Sequence, residues 1–347
     1  MTVLTRYGSV YGYIPAFTGR IFYVAPGAAG GGTANTATYQ VGGQSFSASD
    51  NNDGLSPERA LASVGKAITL ANTPTSPSSP SVGTSASAGT FDDVIVLLPG
   101  THNVDANSTT GAVIKNGRLL ITGVPGTSDL SSVGTYPVMR TRTIVKCSIS
   151  DHVFNVQADD VEFAFLQVVP TTAKSCIVAG TVQKGLYIHD CVFNSVGITE
   201  STSTKGVDLT STTMVAVQRN AFQWDDEQGP CIVLVGTLDA SILNNTFSVQ
   251  DGALAVTIQC GAATDRVLIG ENVFTPTNAG VMTVGVDGTG TTLVAGVHAY
   301  WNVFNSVGTV NPSPFKNFGT NTYINLTNNY QGSVGAGAGG ALITTAI

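Results

Sequence analysis

The sequence predicts an all-β chain of stacked coils, a solenoid whose N-terminal end is capped by one helix. Three observations predict it. A short phrase returns between Leu186 and Tyr330 at a nearly constant period. Charged residues are only 11% of the 347 while Gly alone numbers 40, which is the composition of short strands and many turns. One segment alone, after Ser56, carries the apolar spacing of an amphipathic helix.

In chain order, residues 1–20 set Tyr7, Tyr11, Tyr13 and Phe17 among glycines and Pro15 and form an extended arm. It either folds back on its own body or docks a neighbouring subunit, so these four rings are candidate assembly contacts. Arg20–Gly27 is a strand stopped by Pro-Gly, followed by a Gly- and Thr-rich linker. Asp50–Gly54 lacks the ligand spacing and closing Glu of a calcium loop and is expected to be a polar turn. Ser56 suits an N-cap, with Pro57 at the first helical position and Glu58 in the first turn. Leu61, Val64, Ile68 and Ala71 then share a face, predicting a helix of about fifteen residues that covers an open strand edge. Residues 72–90 are a Ser/Pro-rich loop of low complexity.

Asp92–His102 is a buried strand, and Leu119–Gly123 and Val161–Val169 continue the series. Strands recur from about residue 91 to 330, giving roughly nine coils and a rod of about 40 Å at ~4.8 Å per coil. The chain thus divides into an arm (1–20), an opening strand with helix and loop (21–90), the coil stack (91–334) and a Gly-rich tail (335–347). The tail ends in an apolar run containing Leu342 and Ile343, suited to packing against a partner or covering the last coil.

The repeated phrase ends in Phe193, Phe222, Phe247, Phe274, Phe304 and Tyr330, and two positions earlier stand Cys191, Asn220, Asn245, Asn272, Asn302 and Asn328. If each coil climbs one strand spacing, like stacks on like. The rings then form an interior column and the asparagines a hydrogen-bonded ladder, since Asn tolerates a left-handed backbone and its amide both donates and accepts. The small residue Cys191 begins the ladder. Handedness and the number of sheets per coil stay open at this point.

Three segments carry a resemblance: Tyr23-Val-Ala-Pro-Gly27, then Asn52-Asp-Gly-Leu-Ser-Pro-Glu-Arg-Ala60, then Asp93-Val-Ile-Val-Leu-Leu-Pro-Gly-Thr-His102. Over about residues 20–330 the chain resembles the right-handed parallel β-helix proteins of the pectate-lyase-like superfamily. The resemblance implies a right-handed parallel β-helix. Many members of that superfamily are enzymes; others are virion proteins of tailed phages, including tailspikes and head decorations. The short arm and the Ser/Thr/Gly/Val-rich body resemble the phage group more than secreted pectinases.

Charge narrows the partners. Residues 151–330 hold 15 acidic and 6 basic side chains within a chain of net charge -7. Such a surface disfavours nucleic acid and repels polyanionic sugars. The longest apolar run, Val94–Leu98, is too short to span a bilayer. The opening Met1–Gly8 lacks the apolar core of a secretory leader. With five cysteines, an odd number, the expectation is folding in a reducing cytoplasm. Cys147 and Cys176, and likewise Cys231 and Cys260, lie 29 apart and are expected to stack as buried thiols on neighbouring coils.

For chemistry, the densest acidic cluster is Asp225-Asp226-Glu227 after Trp224, the candidate carboxylates beside a candidate sugar-stacking ring. The Gly-His-Gly and Arg-Ile-Lys strings of polygalacturonases are missing, and Asp151-His152 lacks the companions it has in pectate lyases. His102, His152, His189 and His298 show no metal-ligand spacing and are expected to be structural, and Trp301 is expected to pack. No metal and no cofactor are expected.

Together with the resemblance, these readings give two hypotheses. In the first, the chain is a non-enzymatic virion structural protein that decorates or cements a tailed-phage capsid. It would be a homotrimer on the virion surface, with the major capsid protein as partner, after folding in the host cytoplasm. The alternative is a tailspike that binds or cleaves a host-surface polysaccharide through Trp224, Asp225, Asp226 and Glu227.

Overall fold

The computed structural model describes residues 19–27, 38–71, 93–105, 110–115, 117–124, 143–180, 183–199, 201–225, 228–249, 253–276, 281–288, 296–305, 313–318, 324–332 and 341–343. The aromatic residues of the arm and the Ser/Pro-rich loop therefore lie outside the described residues.

Successive strands do not pair with their neighbours in sequence; each pairs with the strand about one period away. Three sheets result. The first has ten strands in order, from Ile21–Val24 and Asp93–Leu97 through to Val297–Tyr300 and Ile324–Thr327. The second runs from Gly100–Asn103 to Asn329–Gly332, and the third from Ala112–Ile114 to Ser313–Lys316. All pairings along these stacks are parallel until Ala341–Ile343 closes the second sheet antiparallel on Asn329–Gly332. Crossovers between parallel strands of one sheet wind right-handed, so the chain is a right-handed parallel β-helix with three sheets per coil. Apolar residues alternate inward, as Phe154 and Val156 do on either side of Asn155, and fill one continuous core.

The corner between first and second sheets explains the repeated phrase. It takes two residues, the first left-handed and the second a buried ladder residue. Asp190, Arg219, Asn244, Glu271, Trp301 and Asn328 have φ between 52° and 56°. Cys191, Asn220, Asn245, Asn272, Asn302 and Asn329 follow them, all at most 2% exposed. From Asn245 on, each ladder Asn accepts the backbone and side-chain N–H groups of the Asn below and donates to a carbonyl of that preceding coil, as Asn245 does to Val217 O at 2.8 Å. Phe193, Phe222, Phe247, Phe274 and Phe304 stack beside the ladder with centroids 4.7, 4.9, 4.9 and 4.3 Å apart. That is the strand spacing itself.

The last copy of the phrase is displaced by one residue. Asn302 donates to Asn329 Oδ1, not to Asn328, and Tyr330 stands opposite Val303 rather than Phe304. Asn328 is the left-handed corner, and Tyr330 faces outward, 45% exposed. Trp301, expected to pack, occupies the same corner one coil earlier and is 59% exposed, because a left-handed corner residue points its side chain away from the core.

The N-terminal cap is shorter than the sequence predicts. Pro57–Arg59 is an isolated 3-10 turn, Ser56 makes no side-chain cap, and the helix proper is Val64–Ala71. Leu61 is pulled out of it into a bridge with Val24. The true N-cap is Ser63, whose Oγ accepts the Lys66 N–H at 3.2 Å and donates to Asp50 Oδ2 at 2.8 Å. Asp50 Oδ1 also accepts the Ala62 and Ser63 N–H groups, so the polar turn braces the start of the helix. At the other end Arg20 donates to Leu70 O at 2.9 Å and to Asp93 Oδ2 at 2.8 Å, tying the helix to the first two strands of the stack.

Three further expectations are corrected, and one left between two roles is narrowed. The linker after Gly27 contains a hairpin, Thr38–Val41 with Gln44–Ser47. Val161–Val169 is two strands in two sheets, broken at Phe165 with φ 55°. The cysteines do not stack: Cys147 follows a strand of the second sheet while Cys176 lies in the third, and Cys260 pairs with Leu234, not with Cys231. Leu342 and Ile343 lie in a strand paired with Tyr330 and Asn329 of their own chain. Of the two roles expected of the tail, covering the last coil is the one this pairing performs.

Candidate functional site

The acidic cluster after Trp224 is the site most readable in the sequence, and the ring beside it points inward. Trp224 ends the strand Ala221–Trp224 on the core side, is fully buried, and donates its indole N–H to Gly229 O at 2.8 Å. A sealed ring offers no face to a sugar. Asp225 receives the Gly197 N–H on Oδ2 at 3.1 Å, and its own N–H donates to Ser195 Oγ at 2.9 Å. It stitches its turn to the coil below. Asp226 and Glu227 lie outside the described residues.

A constellation that sequence reasoning missed sits on the outer face of the first sheet. Glu162, Tyr187 and His189 come from adjacent strands, with Glu162 opposite Tyr187, and Asp190 and Arg219 are corner residues of successive coils. His189 Nδ1 lies 2.6 Å from Asp190 Oδ2 and Nε2 lies 3.1 Å from Glu162 Oε1. Arg219 donates to both Asp190 oxygens, from Nε at 3.0 Å and Nη2 at 2.8 Å. Tyr187 stacks on the imidazole at 4.3 Å, and Phe165 meets it edge-on at 6.1 Å. Burial opposes ionisation of His189, but its hydrogen bonds to Asp190 and Glu162 prevail and raise its pKa. For Asp190, burial is likewise outweighed by hydrogen bonds from His189 and Arg219, which lower it. The only signal for this group in the sequence is the register, since its members lie 27 to 29 residues apart.

The other histidines are held singly. His102 is sealed beneath the second sheet, Nε2 2.7 Å from Leu98 O, and burial pushes its pKa down to about 4. His152 Nδ1 accepts the Ser175 N–H at 3.0 Å; burial, aided by Lys174, lowers its pKa. Asp151, beside it, binds the Gly111 N–H through Oδ2. Among the described residues, no group of three or more His, Cys, Asp or Glu is placed to hold a metal ion.

Chemically, the His189 group is a salt-bridged knot. A general base needs a lone pair directed at substrate, and both imidazole nitrogens face carboxylates. Side chains turned outward are found elsewhere, at the C-terminal end of the first corner. There Trp301 and Tyr330 are exposed, and Tyr300 lies flat against Gly270, where an added Cβ would meet its ring at 2.3 Å.

No protein-family profile matches this chain, and no curated protein matches it. Among solved structures it is similar to the pectin methylesterase from Aspergillus niger at 12% identity and a TM-score of 0.49, covering 81% of this chain and 85% of that one. It is also similar to pectate lyase Pel9A at 13% identity and 0.40, covering 92% and 78%. A third is the ORF18 protein of Geobacillus virus E2, at 13% identity and 0.29, covering 73% and 56%. The fold stands on the strand register described above and not on these likenesses.

Proposed function

We propose that this chain is a non-enzymatic structural protein of a tailed-phage virion, a β-helix that decorates or cements the capsid as a homotrimer on the particle surface. The observation that carries the reading is the fate of Trp224 and Asp225. The one aromatic-carboxylate pair that the sequence offers for glycan chemistry is spent on the wall itself. The resemblance of the short arm and the Ser/Thr/Gly/Val-rich body to the phage group supplies the virion context, and the acidic coil surface suits a projecting, soluble rod. Electron microscopy of particles assembled with and without the protein tests it. Density of rod shape on the head that vanishes on depletion is expected; unchanged particles would sink the reading. Deleting residues 1–19 should abolish particle binding and leave the melting of the body unchanged.

A second reading is favoured by a specific observation, the exposure of Trp301 and Tyr330 near one end of the rod. In it the chain is a tailspike or receptor-binding protein that binds a host-surface polysaccharide there and not at Trp224. Binding of purified protein to host envelopes, lost in Trp301→Ala, would promote this reading over the first.

A further inference from the structure

We propose that His189 is held as an imidazolium between Glu162 and Asp190, and that its proton latches the outer face of the first sheet, which opens when the proton leaves. Two carboxylate oxygens lie 2.6 and 3.1 Å from the two ring nitrogens. A neutral imidazole has one N–H and could satisfy only one of them; the other contact would set lone pair against lone pair. Arg219 Nη2 also approaches Nδ1, at 3.3 Å, but it is closer to Asp190 Oδ2 at 2.8 Å. The 2.6 Å contact therefore decides that Nδ1 carries a proton.

Charge balance agrees. The groups facing the ring are Glu162 from the preceding strand, Tyr187 from its own strand, Asp190 from its own corner and Arg219 from the next coil's corner. Tyr187 stays neutral, its pKa raised first by burial. Losing the proton removes the positive charge from between the two carboxylates where Glu162 is 5% and His189 3% exposed, and a buried carboxylate that loses its cation is strongly disfavoured. The site has something to release: all four residues of Val161–Ala164 are buried, the outward Glu162 and Ala164 included.

The sign follows. The folded pKa of His189 lies above its ordinary 6.5, so the stabilisation is fully present below pH 6.5 and is lost as pH rises through the folded value. Asp190 moves the opposite way, so its contribution holds above its ordinary 3.8 and is lost only as pH falls through a still lower value. The latch is closed in weak acid and opens toward alkaline pH.

Nitrogen NMR of histidine-labelled full-length protein, with His189→Gln to assign the signal, reads the ring directly. Protection of the Tyr187–Asp190 amides against hydrogen exchange, corrected for the intrinsic pH dependence, reads the latch. Both ring nitrogens should be protonated at pH 6.5, and protection should be lost in step with that proton. A neutral single tautomer at pH 6.5, or protection indifferent to the titration, would overturn the proposal. Glu162→Gln supplies the second arm, because an amide can face either form of the ring. Its protection should become flat across the same pH range, and retention of the full wild-type response in this variant would also overturn the proposal.

Discussion

The side-chain oxygen of Asn245 receives two hydrogen bonds from Asn220, one from its backbone N–H at 2.9 Å and one from its Nδ2 at 3.1 Å. At the same time Asn245 Nδ2 donates to Val217 O and to Asn272 Oδ1. One amide therefore ties its own coil to the coils below and above in a space closed to water, and Asn272 and Asn302 repeat the arrangement. The left-handed corners cost of order 1–2 kcal/mol each, and the ladder is what holds them.

Replacing Asn245 by Ala should remove about 3–5 kcal/mol, because it strands two buried donors of Asn220 and the carbonyl of Val217. Asn245→Asp keeps the acceptor for Asn220 but turns an anionic oxygen toward Val217 O and Asn272 Oδ1. It should be the worse variant at neutral pH and recover part of the loss in acid, where the protonated carboxyl can donate. Urea denaturation at pH 7 and pH 4 measures both effects.

The phenylalanine column should respond to volume. Phe247 is fully buried between Phe222 and Phe274, each 4.9 Å away centroid to centroid. Phe247→Ala should cost about 3–5 kcal/mol, and Phe247→Leu, which keeps most of the volume, should cost clearly less. Equal losses in chemical denaturation would mean that the column acts through ring stacking and not through filling.

Arg20 fastens the cap. Its guanidinium bonds Leu70 O at the C-terminal end of the helix and Asp93 Oδ2 on the second strand of the first sheet, and Asp93 is 3% exposed. Arg20→Ala should cost about 2 kcal/mol, since the Asp93 carboxylate keeps the Arg20 backbone N–H at 2.7 Å and loses its cation. The loss should concentrate in the helix. Hydrogen exchange should rise first over Val64–Ala71 and leave the ladder strands protected.

Period and residue type were enough to read the coil stack, because stacking places identical needs one above another. They placed Asn220, Asn245, Asn272 and Asn302 correctly, and they misplaced the end. Asn328 and Asn329 are adjacent, and only the register of Tyr330 on Val303 decides which of them turns the corner. Direction in or out was less legible. Trp224 follows one copy of the repeated phrase and Trp301 sits inside another, yet one ends a strand facing the core and the other occupies a left-handed corner. The His189 group was illegible for another reason. Its partners belong to three coils, and nothing local to His189 announces Glu162 or Arg219. The short helix was overextended because Leu61 has helical spacing but is captured by Val24.

The cysteines allow a global test of the wall. All five are buried thiols with no disulfide between them. Burial raises each pKa: Cys147 up to about 11, Cys191 and Cys260 up to about 12, and Cys176 and Cys231 well above the ordinary value. The thiolate is the reactive form, so at pH 8 the folded chain presents almost none, and the reagent must also enter a close-packed interior. A thiol-specific chromogenic reagent should detect no cysteine in the native protein and all five in denaturant. Labelling of the native protein should then follow the opening of the stack, accelerating in Asn245→Ala and Phe247→Ala. Cys191 lies in the ladder, its N–H donating to Asn220 Oδ1 at 3.0 Å, so it should be labelled in the same step as the loss of the corner. Rapid labelling of Cys191 in an otherwise intact stack would show that the lower end of the ladder opens independently of the coils above it.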